Sequence, residues 1–153
     1  MTDSELLARL VSYLREQVPM TRHFGIEAGR LHSDRLTLKA PLSANTNDKQ
    51  TAFAGTLATL CTLSGWAMTS VICDEAGCDA DIAVIQSEIS YLRPCTEDWI
   101  IATCERPKLP IAETFIRQLR DDGRAEMTLT AEVESRAKLS ARFTGRYSAR
   151  RLY

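Results

Sequence analysis

Apolar and polar positions change period several times along the chain, and each change marks an element. Leu6, Leu7, Leu10, Val11 and Leu14 recur at helical spacing behind Ser4, a residue suited to an N-cap, and predict a surface helix that ends before Pro19. From residue 25 to residue 42 the period falls to two. Leu36, Leu38, Ala40 and Leu42 alternate with Arg35, Thr37 and Lys39, which predicts two short strands turning near Ser33 and Asp34. A polar stretch, residues 43–51, then leads into a run with no charge between Lys49 and Asp74. A helix over about 54–73 is predicted there, stopped by Gly77.

The remainder reads mostly as strand. Ala83, Ile85, Ser87, Ile89 and Tyr91 alternate with their neighbours up to Pro94, and Trp99, Ile101 and Thr103 do so up to Pro107, with a short turn over residues 95–98. Ile111, Phe115, Ile116 and Leu119 have helical spacing and predict a short helix between Pro110 and Gly123. Ala125, Met127, Leu129, Ala131 and Val133 form one more alternating run, and Leu139, Ala141, Phe143, Gly145 and Tyr147 another. They predict a hairpin turning over residues 135–137. The last four strands are read as consecutive antiparallel neighbours.

One-faced strands must cover their apolar side, and the helix over 54–73 is the only element apolar all round. The expected fold is therefore α+β: an antiparallel sheet wrapped around a long central helix, the hotdog arrangement, with the N-terminal helix packed outside. One domain spans 1–153. The central run contains Thr51, Thr56, Thr59, Thr62, Ser64, Thr69 and Ser70 with two glycines. It is too polar for a lone membrane span and suits a helix enclosed by protein.

Composition narrows the function. The chain has 153 residues, 44% hydrophobic and 25% charged, with 19 basic and 20 acidic side chains and a net charge of −1. That profile excludes a disordered chain and argues against a dedicated nucleic-acid binder. Cys61, Cys73, Cys78, Cys95 and Cys104 make an odd set without a CxxC pair, and no secretion signal is expected. Reduced thiols in the cytoplasm are the simpler reading. The cysteines and the two histidines lack metal-ligand spacing, so no metal is expected.

The segment Pro41-Leu42-Ser43-Ala44-Asn45-Thr46-Asn47-Asp48-Lys49-Gln50-Thr51-Ala52-Phe53-Ala54-Gly55-Thr56-Leu57 resembles the signature of a family of hotdog thioesterases typified by the C-terminal domain of YiiD. The resemblance continues in Leu63-Ser64-Gly65-Trp66 and Tyr91-Leu92-Arg93-Pro94, and covers nearly the whole chain. It implies a hotdog dimer acting on acyl groups carried as thioesters on coenzyme A or acyl carrier protein (ACP). No separate cofactor is then needed, because coenzyme A or phosphopantetheine arrives as part of the substrate. Similar proteins are associated with malonyl-thioester decarboxylation as well as hydrolysis.

The same residues have a direct chemical reading. A helix starting at Ala54 and Gly55 points free N–H groups and a partial positive charge out of its N-terminus, where a thioester carbonyl would be polarised. Gly55 leaves room for close approach, or it serves only packing. Asn45 is the expected oxyanion donor. Asn47 and Asp48 are weaker candidates, as a second donor and a base, since such clusters also form ordinary turns. Phe53, Ala54, Thr59 and Thr62 are expected to line the acyl path.

Many hotdog hydrolases carry an acid on the central helix about two turns after the glycine. Here Thr59, Thr62 and Ser64 occupy that region, leaving only Asp48 or a remote acid such as Glu88 to activate water. Decarboxylation of a malonyl thioester needs neither base nor nucleophile, so malonyl-CoA or malonyl-ACP decarboxylation is the alternative. A non-catalytic module binding acyl-CoA or acyl-ACP is the second alternative. Dehydration would need a histidine–acid pair, and His23 and His32 lie elsewhere.

Cys61 on the central helix is read as core. After Glu134 come Arg136, Lys138, Arg142, Arg146, Arg150 and Arg151 with no acid, five of them at even positions. They form either a solvated strand face balanced by Glu126, Glu132 and Glu134, or a patch for carrier phosphates in which Arg146 and Arg150 are the candidates. Pairing the strand around residues 83–91 with a symmetry mate would bury a sheet edge, so a homodimer or higher oligomer is expected.

Overall fold

The uncharged run folds as one long helix, and the other elements are arranged to cover it. The computed structural model describes residues 1–153. In chain order it contains α1 (Asp3–Gln17), α2 (Met20–Phe24), β1 (Glu27–Leu31), β2 (Arg35–Pro41), α3 (Ala54–Glu75), β3 (Ala80–Tyr91), β4 (Trp99–Glu105), α4 (Leu109–Asp122), β5 (Arg124–Ser135) and β6 (Lys138–Arg151). The predicted elements are all present, with the central helix two residues longer. The first helix is capped by Thr2 rather than Ser4. The Thr2 hydroxyl accepts from the Glu5 N–H at 3.1 Å and the Glu5 carboxylate accepts from the Thr2 N–H at 2.8 Å, a reciprocal capping box.

All six strands join one antiparallel sheet in the order β1-β2-β4-β5-β6-β3, curled around α3 as a hotdog fold. The expectation that the last four strands are consecutive neighbours is wrong for β3, which crosses to the far edge and pairs with β6. Alternation specifies the buried face of a strand but not its neighbour. Exposure explains the outcome: Ile100, Ala102 and Cys104 of β4 are fully buried between β2 and β5, whereas most of β3 is exposed and suits an edge.

The alternation within β3 also needs correction. Val84 faces Tyr147 and Gln86 faces Arg146, so Ile85 is the extra residue of a bulge. Ile82 and Val84 share the inner face before it, and Ser87, Ile89 and Tyr91 after it, while Ala83 lies outside this set.

Apart from Thr56, whose hydroxyl donates to Asn45, the side-chain hydroxyls of α3 are satisfied within the helix. The hydroxyls of Thr59, Thr62, Thr69 and Ser70 donate to the carbonyls of Gly55, Ala58, Gly65 and Trp66 at 2.7–2.9 Å, and Ser64 donates to Cys61 at 2.8 Å. Buried hydroxyls therefore require no partner from the sheet. The helix is long and apolar enough to cross a membrane, yet 67% of its most apolar stretch is buried inside the protein. It is the core helix. Enclosure is incomplete, since Ala58, Thr59, Thr62, Leu63, Trp66 and Ser70 are only half-buried, and α1 reaches this flank through Tyr13 stacked on Trp66 at 5.8 Å.

Helix and sheet meet most closely at Gly65. Its Cα lies against the ring of Tyr147, whose hydroxyl donates to the Thr62 carbonyl at 2.6 Å, and Tyr147 is fully buried. A Cβ at residue 65 would stand 2.1 Å from that hydroxyl oxygen. Gly65→Ala is therefore expected to destabilise the fold by about 1–3 kcal/mol, seen as a lower midpoint in urea unfolding. An unchanged midpoint would show that the spacing is not required.

Candidate active site at the N-terminus of the core helix

The loop before α3 is closed by its own polar groups. Asn47 Oδ1 accepts from the N–H groups of Lys49 and Thr51 at 2.8 and 3.1 Å, and its Nδ2 donates to the Thr51 hydroxyl at 2.9 Å. Thr46 bridges to Ala52, the Ala52 N–H donates to the Cys95 carbonyl at 2.9 Å, and the Phe53 N–H donates to Asn45 at 2.8 Å. The turn is thereby docked onto the segment following β3.

Helix α3 begins there without a side-chain cap. The N–H groups of Thr56 and Leu57 both use the Phe53 carbonyl, at 3.0 and 3.1 Å, whereas those of Ala54 and Gly55 have no acceptor. Two aligned donors at the positive end of a 22-residue helix form a site for a carbonyl oxygen gaining negative charge. The mouth is a hollow of about 320 Å³ whose lining includes Asn47, Lys49, Ala54, Leu57, Tyr91 and Arg93. The Tyr91 hydroxyl lies 3.5 Å from the Ala54 carbonyl oxygen.

The structure changes the role of Asn45. Its Nδ2 donates to the carbonyls of Phe24 and Pro41 at 2.8 and 2.7 Å, and its Oδ1 accepts from the Thr56 hydroxyl at 2.9 Å. Both donor hydrogens are committed and the side chain is buried, so it cannot also serve a substrate carbonyl. Asn47 lines the mouth, but its amide is spent on the turn. Asp48 points away: its side chain is 80% exposed and pairs with Lys49 at 3.0 Å. Glu88 is opposite Thr144 on the outer face of the sheet.

Ala54 lines the mouth, and the exposed Phe53 ring lies against the Gly55 Cα, where an added Cβ would stand 2.3 Å from it. Gly55 therefore accommodates Phe53, and its N–H has no acceptor within the protein. Thr59 and Thr62 continue along the half-buried flank of α3. Thr62 enters a larger cleft of about 630 Å³ lined chiefly by apolar side chains, among them Tyr13, Leu63, Trp66, Ile82 and Val84. Seven residues of helix, about 10 Å, separate it from Gly55. The cleft is mostly apolar, with the carboxylates of Asp79 and Asp81 at its lining and Asp81 paired with Arg150; the unpaired donors are at the helix start.

Arg146 and Arg150 are not at this mouth. They lie on the outer face of β6, where Arg142, Arg146 and Arg150 pair with Glu132, Glu126 and Asp81 at 3.7, 3.6 and 3.5 Å. Arg150 is opposite Asp81, near the end of α3 remote from Ala54. Cys61 is fully buried, and burial, with Glu132 adding to it, pushes its thiol up to about 12. It is inert core at neutral pH.

Residue-by-residue reading missed Tyr91 and Lys49 at the mouth, together with Arg93. The available signal was the Tyr91-Leu92-Arg93-Pro94 segment, which ends β3 where the Ala52 segment docks on Cys95.

Comparison with known proteins bears on family and fold. The family described as "Putative thioesterase (yiiD_Cterm)" matches residues 7–151. A protein of unknown function from Chlorobaculum tepidum superposes with a TM-score of 0.92 at 26% identity, over 97% of this chain and 96% of its own. A protein from Shewanella oneidensis described as a "putative thioesterase" gives 0.86 at 28% identity, over 95% and 98%. A thioesterase from Haemophilus influenzae shares the fold, with a TM-score of 0.71 at 15% identity over 95% and 91%.

Because Asn45 joins three segments, Asn45→Ala is expected to destabilise the protein by about 2–4 kcal/mol, leaving the Phe24 and Pro41 carbonyls and the Thr56 hydroxyl short of a partner. Chemical unfolding measures this. Full stability with lost turnover would instead return Asn45 to a direct catalytic role.

Proposed function

This chain belongs to the YiiD C-terminal thioesterase family, and from that premise we propose that it acts on acyl thioesters carried on coenzyme A or ACP. The carbonyl oxygen is held by the N–H groups of Ala54 and Gly55. The observation carrying this reading is that these donors have no acceptor within the protein, at an uncapped helix start where Ala54 lines the hollow. Asn45 is a positioning residue that fixes the start of α3. The apolar cleft beyond Thr62 suits an acyl chain running along the helix, which favours hydrolysis of medium-length chains.

One observation favours a second reaction at the same donors. No carboxylate lines the mouth, and Asp48 and Glu88 both face elsewhere. Hydrolysis needs an activated water, whereas a malonyl thioester loses carbon dioxide unaided by a base. The electrons of its C–C bond pass into an enolate, whose oxygen the two N–H groups stabilise. Protonation of the enolate carbon from water then gives the acetyl thioester.

Two chains pair along β3 in this reading. The strand is twelve residues long, has one hydrogen-bonded neighbour, and carries exposed Val84, Ile85 and Tyr91. An unprotected edge of that length is suited to a partner. The five unpaired thiols agree with a cytoplasmic protein.

Incubation with malonyl-, acetyl- and octanoyl-CoA, followed by mass spectrometry, tests the activity. Free coenzyme A is expected from a hydrolase, and acetyl-CoA from malonyl-CoA without free coenzyme A from a decarboxylase. No turnover of any of them, or of the ACP thioesters, would overturn the catalytic reading and leave a binding module. Light scattering is expected to give twice the chain mass, and a monomer at micromolar concentration would sink the β3 pairing.

A further inference from the structure

The structure separates the basic side chains into two groups. Arg142, Arg146 and Arg150 are each paired with an acid on a neighbouring strand. Arg93, Arg136 and Lys138 form no ion pair, and they line a polar hollow of about 350 Å³ with Pro94, Thr96 and Ser135. Glu97 is the acid at this turn, and its carboxylate accepts the Arg136 backbone N–H at 2.6 Å. Glu134 makes no ion pair with any of the three.

This hollow adjoins the active-site mouth. Arg93 and Pro94 line both, so the two meet along a shared wall. Tyr91, beside the start of α3, is opposite Ala141 on β6, and Lys138 is three residues, about 10 Å, farther along that strand. The platform is fixed: the Arg93 guanidinium donates to the Leu139 carbonyl at 3.0 Å, Ser140 donates to the Arg93 carbonyl at 2.6 Å, and the buried Ser135 hydroxyl accepts the Thr96 N–H at 3.0 Å. Arg136 and Ala137 hold φ of +53° and +61° in the tight turn that joins β5 to β6.

Resting on the acyl-thioester reading, we infer that Arg93, Arg136 and Lys138 form the subsite for the phosphate groups of the thioester carrier, a role the sequence pattern had offered to Arg146 and Arg150. A carrier arm whose sulfur lies near Ala54 crosses Arg93 and Pro94 and delivers its phosphate to unpaired cations. The chemistry recognised is a phosphate ester, present in both coenzyme A and the phosphopantetheine arm of a carrier protein.

The test is calorimetric binding of coenzyme A, 4′-phosphopantetheine and pantetheine to the wild-type protein and to the Arg136→Asn/Lys138→Gln variant. Neither side chain makes a hydrogen bond in the fold, and Asn tolerates the positive φ, so the variant should melt like wild type. The expected result is at least about tenfold tighter binding of the phosphate-bearing compounds by wild type, reduced to pantetheine level in the variant. Coenzyme A binding more tightly than phosphopantetheine would show that its nucleotide phosphates use the subsite; equal affinity would assign the subsite to the single phosphate of the arm. Equal binding of all three by wild type, or an unchanged preference in the variant, overturns the subsite alone. Failure of all three to bind, with no turnover of any thioester, overturns the subsite and the acyl-thioester reading together.

Discussion

Everything in this fold depends on placing a hydroxyl-rich helix, uncharged up to Cys73, inside a curled sheet without leaving a buried hydroxyl unpaired. Five Thr and Ser hydroxyls of α3 return to carbonyls of their own helix. That local satisfaction lets the sheet present almost only apolar side chains to it. Close approach at Gly65 and the Tyr147 hydroxyl on Thr62 then fix the depth of the helix in the sheet. The N-terminus of α3 is thereby directed at the residues that follow β3, and its two unpaired N–H groups become available to a ligand rather than to the chain.

The same economy shapes the site. Asn45 ties the end of α2, the end of β2 and the first turn of α3 through one buried amide. Asn47 closes the loop between them. Two asparagines that resemble catalytic donors in a linear reading are joints, and their work is to hold the backbone donors in place. In the proposed function, electrophilic stabilisation comes from fixed peptide dipoles, which need no reorganisation as charge develops on a substrate oxygen.

Charge on the surface follows partners rather than composition. Arg142, Arg146 and Arg150 sit on an outer face whose neighbouring strands supply acids, so their charges are balanced. Arg136 and Lys138 belong to the same run of basic residues, but the β5–β6 turn carries them beyond that ladder to Arg93. Side chains of one type in one segment are thus divided by where the strand ends.

Sequence alone determined the elements, because each is specified by local periodicity: Leu6 to Leu14 for α1, the uncharged run for α3, and the alternations of β2, β5 and β6. It also determined that the strands must wrap the one helix apolar all round, and its motif pointed to the start of that helix as the candidate site. Tertiary structure decided what periodicity cannot encode. The position of β3 beside β6 and the bulge at Ile85 depend on pairing with residues about sixty positions away. The engagement of Asn45 by Phe24 and Pro41, the outward turn of Asp48 and Glu88, and the meeting of Arg93 with Lys138 are likewise contacts between separate segments. Hydrogen-bond donors and charges acquire a role only from the partners they meet, and those partners are brought together by packing rather than by adjacency in the chain.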